Sequence, residues 1–143
     1  MTRHLTPIAN WSLRISLAVA FLSAVLDRFG ILGPPGAPNV GWGNWASFVA
    51  YTGTLNAFLP SSLYEPLAWI ATIAEVVLAV WLLTGIQLRW AALASAALLL
   101  LFALAMTVAL GVKAPLNYSV FTAAAGALAL ACLAERKPGI SGS

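Results

Sequence analysis

Residues 66–111 read PLAWIATIAEVVLAVWLLTGIQLRWAALASAALLLLFALAMTVALG, and their charged side chains are Glu75 and Arg89. A helix that crosses a bilayer needs roughly 20 mainly apolar residues. The stretch supplies that length twice, over residues 66–86 and 90–111, with Gln87-Leu88-Arg89 as a polar break. So short a connection makes the two helices antiparallel neighbours.

Working outward, residues 11–29 and 117–133 read as two further spans, and residues 112–116 join the third to the fourth. Within the first, the apolar core 15–26 is short enough for a secretory leader. Its small-residue pattern Ala18-Val19-Ala20 lies inside that core, and Asp27 and Arg28 follow without a cleavage site, so a retained helix is expected. The expected fold is all-α: one polytopic membrane domain over residues 1–143, an up-down-up-down bundle of four transmembrane helices. The lipid bilayer is its first partner.

Composition agrees. Hydrophobic residues make up 62% of the chain and charged ones 8%, with mean hydropathy +0.93. Soluble domains carry about a quarter charged residues, so a soluble fold of this chain would lack polar surface. The basic residues are scattered, with Arg136-Lys137 the one adjacent pair, which gives nucleic acid no run of contacts. A single cysteine, Cys132, excludes an internal disulfide and a C-x-x-C pair, and its apolar setting reads as packing.

Lysines and arginines set the orientation. With the amino terminus cytoplasmic, Arg3, Arg14, Arg89, Arg136 and Lys137 lie inside, and Arg28 and Lys113 outside. Both termini are then cytoplasmic.

The first connection differs from the others. No charge occurs between Arg28 and Glu65, and Gly33-Pro34-Pro35-Gly36 must be irregular. After it, Trp45, Phe48, Val49, Thr52 and Leu55 recur at helical spacing. Residues 44–58 therefore read as an extra helix in the external interface, between the first two spans. Trp42, Trp45 and Tyr51 are its aromatic anchors. It either seals the outer end of the bundle or belongs to a re-entrant loop lining a cavity.

A charge at membrane depth costs about 2.5–3.5 kcal/mol on insertion scales and needs a reason. Glu75 is the main case. Ala68, Ala71, Thr72, Ala79 and Leu82 share its face, a stripe that suits close helix approach. Arg28, Lys113 and Arg14 are its candidate partners, and Asp27 competes for Arg28. On the first helix, Ser12, Ser16, Ala20, Ser23 and Asp27 form one line, and Arg14, Ala18, Phe21, Val25 and Arg28 another; both are expected to face protein. Lys113, Asn117 and Tyr118 gather at the outer surface. The set Glu75, Arg14, Asp27, Arg28, Arg89, Lys113, Asn117 and Tyr118 is either a structural network or a polar pocket for a small molecule or protons.

Other chemistries lack ligands. His4, the one histidine, precedes the first span, so haem and zinc are not expected. Self-contained redox or hydrolytic catalysis is not expected either.

The pattern resembles the DoxX family of small four-helix bacterial membrane proteins, over residues 13–130. The resemblance rests on Arg14 opening the first helix, on Asp27-Arg28-Phe29-Gly30 closing it, and on Glu75 in the second. The run from Glu75 through Leu83-Thr84-Gly85 to Arg89 and the stretch Pro115-Leu116-Asn117-Tyr118-Ser119 add to it. The resemblance implies the cytoplasmic (inner) membrane of a bacterium and a redox-linked setting, in which relatives accompany quinone-reducing or oxidase systems or anchor oxidoreductases. It singles out Arg14, Arg28, Glu75 and Arg89. The expected function is a non-catalytic subunit or anchor with a membrane or peripheral oxidoreductase partner, touching quinone, and able to form a homodimer. Ala123, Ala127 and Ala131 offer a face to a partner. The alternatives are a carrier or binding protein for quinone, lipid or another small molecule around Glu75, and an intramembrane enzyme with Glu75 as acid or base.

Overall fold

The computed structural model describes residues 2–135, with side chains from residue 3. Arg136 and Lys137, counted above toward orientation, lie outside the described residues. Within them the chain forms helices α1 (Thr2–Arg28), α2 (Trp45–Leu55), α3 (Tyr64–Thr84), α4 (Leu88–Leu110), α5 (Lys113–Asn117) and α6 (Val120–Glu135), with a 3-10 turn Ser61–Leu63 ahead of α3. Among the described residues three segments are long and apolar enough to cross a membrane: Arg3–Arg28, Ser61–Thr84 and Leu88–Leu110. α6 has 16 residues. That is about 24 Å of helix, against a hydrocarbon core of about 30 Å.

Helix ends follow local chemistry. α1 begins at Thr2 and not near Trp11, because Arg3, His4 and their neighbours continue the helix as an exposed extension beyond the apolar run. At 27 residues it reaches about 40 Å. α2 opens where the Asn44 side chain accepts a hydrogen bond from the Ser47 amide at 2.8 Å. It closes where Asn56 turns its amide group back to the Thr52 carbonyl, at 2.9 Å. Gly85 ends α3 in the left-handed region at φ +73°, where a side chain is strained. Ser119, at φ +55°, separates α5 from α6, so the last long helix starts at Val120 and not at Asn117.

Packing places α1 against α3 and α6, and α4 against α6. The shared core is Leu17, Ala18, Phe21, Leu78, Ala79, Leu82, Ala91, Ala92, Ala96, Ala127, Leu130 and Ala131. Alanine lets the backbones approach closely, which is how helices associate where lipid removes the hydrophobic drive. Ala127 and Ala131 are therefore used inside the bundle, and the face they form is not free for a partner. Cys132 is exposed, not packed. The α3–α4 seam is looser, and an apolar groove of about 420 Å³ runs between Ala74, Val77 and Leu78 on one wall and Ala94, Ala97 and Leu101 on the other.

The two lines on α1 part company. Arg14, Ala18, Phe21, Val25 and Arg28 are buried, whereas Ser12, Ser16, Ala20 and Ser23 are exposed. A helical serine can satisfy its own hydroxyl on the preceding turn, as Ser23 does on the Ala20 carbonyl at 2.9 Å. Such residues need no protein neighbour.

Candidate functional site: a buried ion pair beneath an aromatic cap

Arg28 is the last residue of α1 and is 2% exposed. Its Nη1 donates to Thr72 Oγ1 at 2.9 Å and forms an ion pair with Glu75 Oε2. Thr72 gives its own proton to the Ala68 carbonyl at 2.8 Å, which leaves its lone pairs for the guanidinium. Thr72 and Glu75 stand three residues apart on α3 and so present both acceptors on one face. From the cap, the Phe48 ring lies 3.8 Å from the guanidinium carbon and the Trp42 ring 5.4 Å. The cation is thus held by a carboxylate, a hydroxyl and two π-faces. Arg28 Nε is buried without a hydrogen-bond partner among the described residues, and Glu75 Oε2, also buried, has its contact with Arg28 Nη1 alone.

Asp27 does not compete for Arg28. Its Oδ2 accepts from the Gly41 and Trp42 amides at 2.8 and 3.2 Å, and its Oδ1 from the Gly43 amide at 3.2 Å. Three successive N–H groups converge on one carboxylate, an anion-holding nest. Gly43 adopts φ +72° with its Cα against the Pro34–Pro35 backbone, a place closed to a side chain. Asp27 therefore fixes the loop that carries Trp42 over Arg28.

The remaining members of the sequence-derived set lie elsewhere. Arg14 is buried toward the other end of α1, where Nε and Nη2 donate to the Leu82 and Leu83 carbonyls, each at 2.8 Å. These are carbonyls at the C-terminal end of α3, which a cation satisfies well. The Trp11 ring covers it at 3.9 Å. Arg89 Nε meets Glu135 Oε1 at 2.7 Å, with both side chains about half exposed. Lys113, Asn117 and Tyr118 are exposed and make no bond to the Arg28–Glu75 pair. Near Tyr118, burial pushes the Tyr51 phenol above its ordinary range, and the Tyr118 phenol adds to the shift.

Trp42, Phe48 and the Gly41–Gly43 amides were not assigned to Arg28 or Asp27 from sequence. The signal available was Gly41-Trp42-Gly43 itself, a flexible stretch able to turn consecutive amides to one side. A second aromatic group joins Phe29, Trp45 and Trp69, with Trp45 and Trp69 centred 4.3 Å apart.

Long apolar helices, a buried ion pair and an aromatic cap at one end of it define a small multi-pass integral membrane protein. Residues 6–117 match the family described as methylamine utilisation protein MauE, and the chain belongs to that family. The family shown is MauE, a family of membrane proteins, and the DoxX resemblance rests on its motifs alone. No curated protein and no solved structure matches the chain.

Proposed function

We propose that this protein is a non-catalytic subunit or anchor of a redox-linked membrane complex, with α6 as a fourth crossing and both termini in the cytoplasm of a bacterium. The observation that carries this reading is the engagement of the buried charges within the chain. Glu75 is taken by Arg28, Arg14 by α3 carbonyls and Asp27 by loop amides. These are bonds of a scaffold. The family name supports a redox setting, because drawing carbon or energy from a C1 amine requires its oxidation. The DoxX-like motifs point the same way and keep quinone as a companion molecule. The short α6 fits a crossing if the bilayer thins locally or α5 completes it.

One observation favours a second reading, a binding protein or carrier around Glu75. Arg28 Nε keeps an unused N–H, and Glu75 Oε2 keeps a lone pair beyond its contact with Arg28, which a small polar ligand or a water could use.

Native mass spectrometry of the protein, extracted in mild detergent from its own membrane, separates the two. A stoichiometric oxidoreductase partner is the expected result. A bound quinone or lipid without a protein partner favours the pocket, and a bare monomer refutes the subunit reading.

A further inference from the structure

The outer end of the molecule carries a group of side chains that the Arg28–Glu75 pair does not use. Glu65 and Trp69 lie four residues apart on α3 and so share a face. Trp45, the first residue of α2, reaches between them: its Nε1 donates to Glu65 Oε1 at 3.4 Å, and its ring centre lies 4.3 Å from that of Trp69. Phe29, just past α1, stacks on Trp45 at 5.4 Å and 5°, and its centre is 6.1 Å from Trp69. Two helices and the residue that follows α1 thus bring three rings and one carboxylate together.

Phe29 and Trp69 stay 44% and 42% exposed, as the rings of an interfacial anchor also would, so π-surface is left to lipid headgroups or solvent. What a plain anchor lacks is the carboxylate held beside the rings. Glu65 has no ion-pair partner among the described residues; the pairs there are Arg28–Glu75 and Arg89–Glu135. A first-turn carboxylate gains from its own helix dipole, but that gain does not require a tryptophan N–H holding it beside open rings. A carboxylate next to exposed aromatic faces attracts a cation. The rings favour a weakly hydrated organic cation over a small hydrated metal ion.

We infer that Glu65, Trp69, Trp45 and Phe29 form a shallow outward-facing site for a substituted ammonium group. Such a group arrives either as a small free alkylammonium ion or as the headgroup of an amine-bearing lipid. The site shares no residue with the Arg28–Glu75 pair, although Trp45 meets Phe48, the ring over Arg28, at 5.8 Å, and it does not rest on the subunit reading.

The test uses the full chain labelled with 5-fluorotryptophan, in nanodiscs of phosphatidylglycerol alone, which has no amine headgroup. Methylammonium chloride and tetramethylammonium chloride are titrated against matched sodium chloride while the fluorine signals are followed by NMR. The expected result is a saturable shift of the Trp45 and Trp69 signals with either ammonium salt, with Trp11 and Trp90 unmoved. Glu65→Gln should weaken it about tenfold, the loss of one charge-assisted contact. Glu65 is exposed, so that variant should keep the remaining signals in place and show that the fold is intact. If the same signals respond only when phosphatidylethanolamine is included, and Glu65→Gln abolishes the response, the ligand is the lipid headgroup. An equal shift with sodium chloride, unchanged affinity in Glu65→Gln, or no movement of Trp45 and Trp69 with either salt or lipid would overturn the inference.

Discussion

Glu75→Gln removes the charge but keeps the shape of the residue that faces Arg28. Removing one partner of a buried ion pair costs about 3–5 kcal/mol, because the other charge stays buried and uncompensated. Part of that is recovered here. The glutamine carbonyl can still accept from Nη1, worth about 1 kcal/mol, and Thr72 and Phe48 keep their contacts. The expected loss is about 2–4 kcal/mol. The double variant Arg28→Met, Glu75→Leu removes both charges and leaves apolar groups of similar length, so it should lie within about 1 kcal/mol of wild type or above it. Equilibrium unfolding by SDS titration in mixed micelles, followed by circular dichroism, compares wild type, Glu75→Gln and the double variant. Two outcomes would refute the reasoning: a Glu75→Gln loss below about 1 kcal/mol, or a double variant no more stable than Glu75→Gln.

Three further outcomes are expected. Asp27→Ala leaves the Gly41, Trp42 and Gly43 amides without their acceptor; hydrogen exchange at these three should accelerate while the α3–α4 region keeps its protection, and uniform exchange would count against the nest. Gly85→Ala places a methyl group 2.7 Å from Arg14 Nη2 in a left-handed conformation, so thermal unfolding should show a loss of at least 1–2 kcal/mol, roughly the penalty of that conformation alone. Arg89→Gln breaks a half-exposed pair and should change stability by less than about 1 kcal/mol in the same assay, since solvent screens such pairs.

Helical spacing made much of the bundle legible. Ala68, Thr72, Glu75, Ala79 and Leu82 share one face of α3 and are buried, and the line from Arg14 to Arg28 is the buried face of α1. Periodicity reports a face, however, and not what occupies it. It offered Glu75 three basic partners, and the structure gives it Arg28. It also treated the Ser12–Ser23 line as inward, because it could not see that serine hydroxyls bond to their own helix. Ala123, Ala127 and Ala131 repeat as a docking stripe would, yet the same repeat serves internal packing against α1 and α4. The least legible part was the path of residues 29–44. That path has no period, and it decides which amides meet Asp27 and which ring covers Arg28.

Adjacency of Asp27 and Arg28 has a mechanical consequence. Successive helical positions point about 100° apart, so neighbouring side chains at a helix end leave in different directions. Asp27 goes to the loop amides and Arg28 goes inward to Thr72 and Glu75, and Trp42, on the loop held by Asp27, returns to cover Arg28. The cap and the core are therefore closed into one ring of contacts through two consecutive residues. A change that lifts the loop withdraws the Trp42 face from the guanidinium, and a change at Glu75 loosens the residue beside the loop's anchor. Displacing the Gly41–Gly43 loop would therefore reach the buried pair directly, through Asp27 and Trp42.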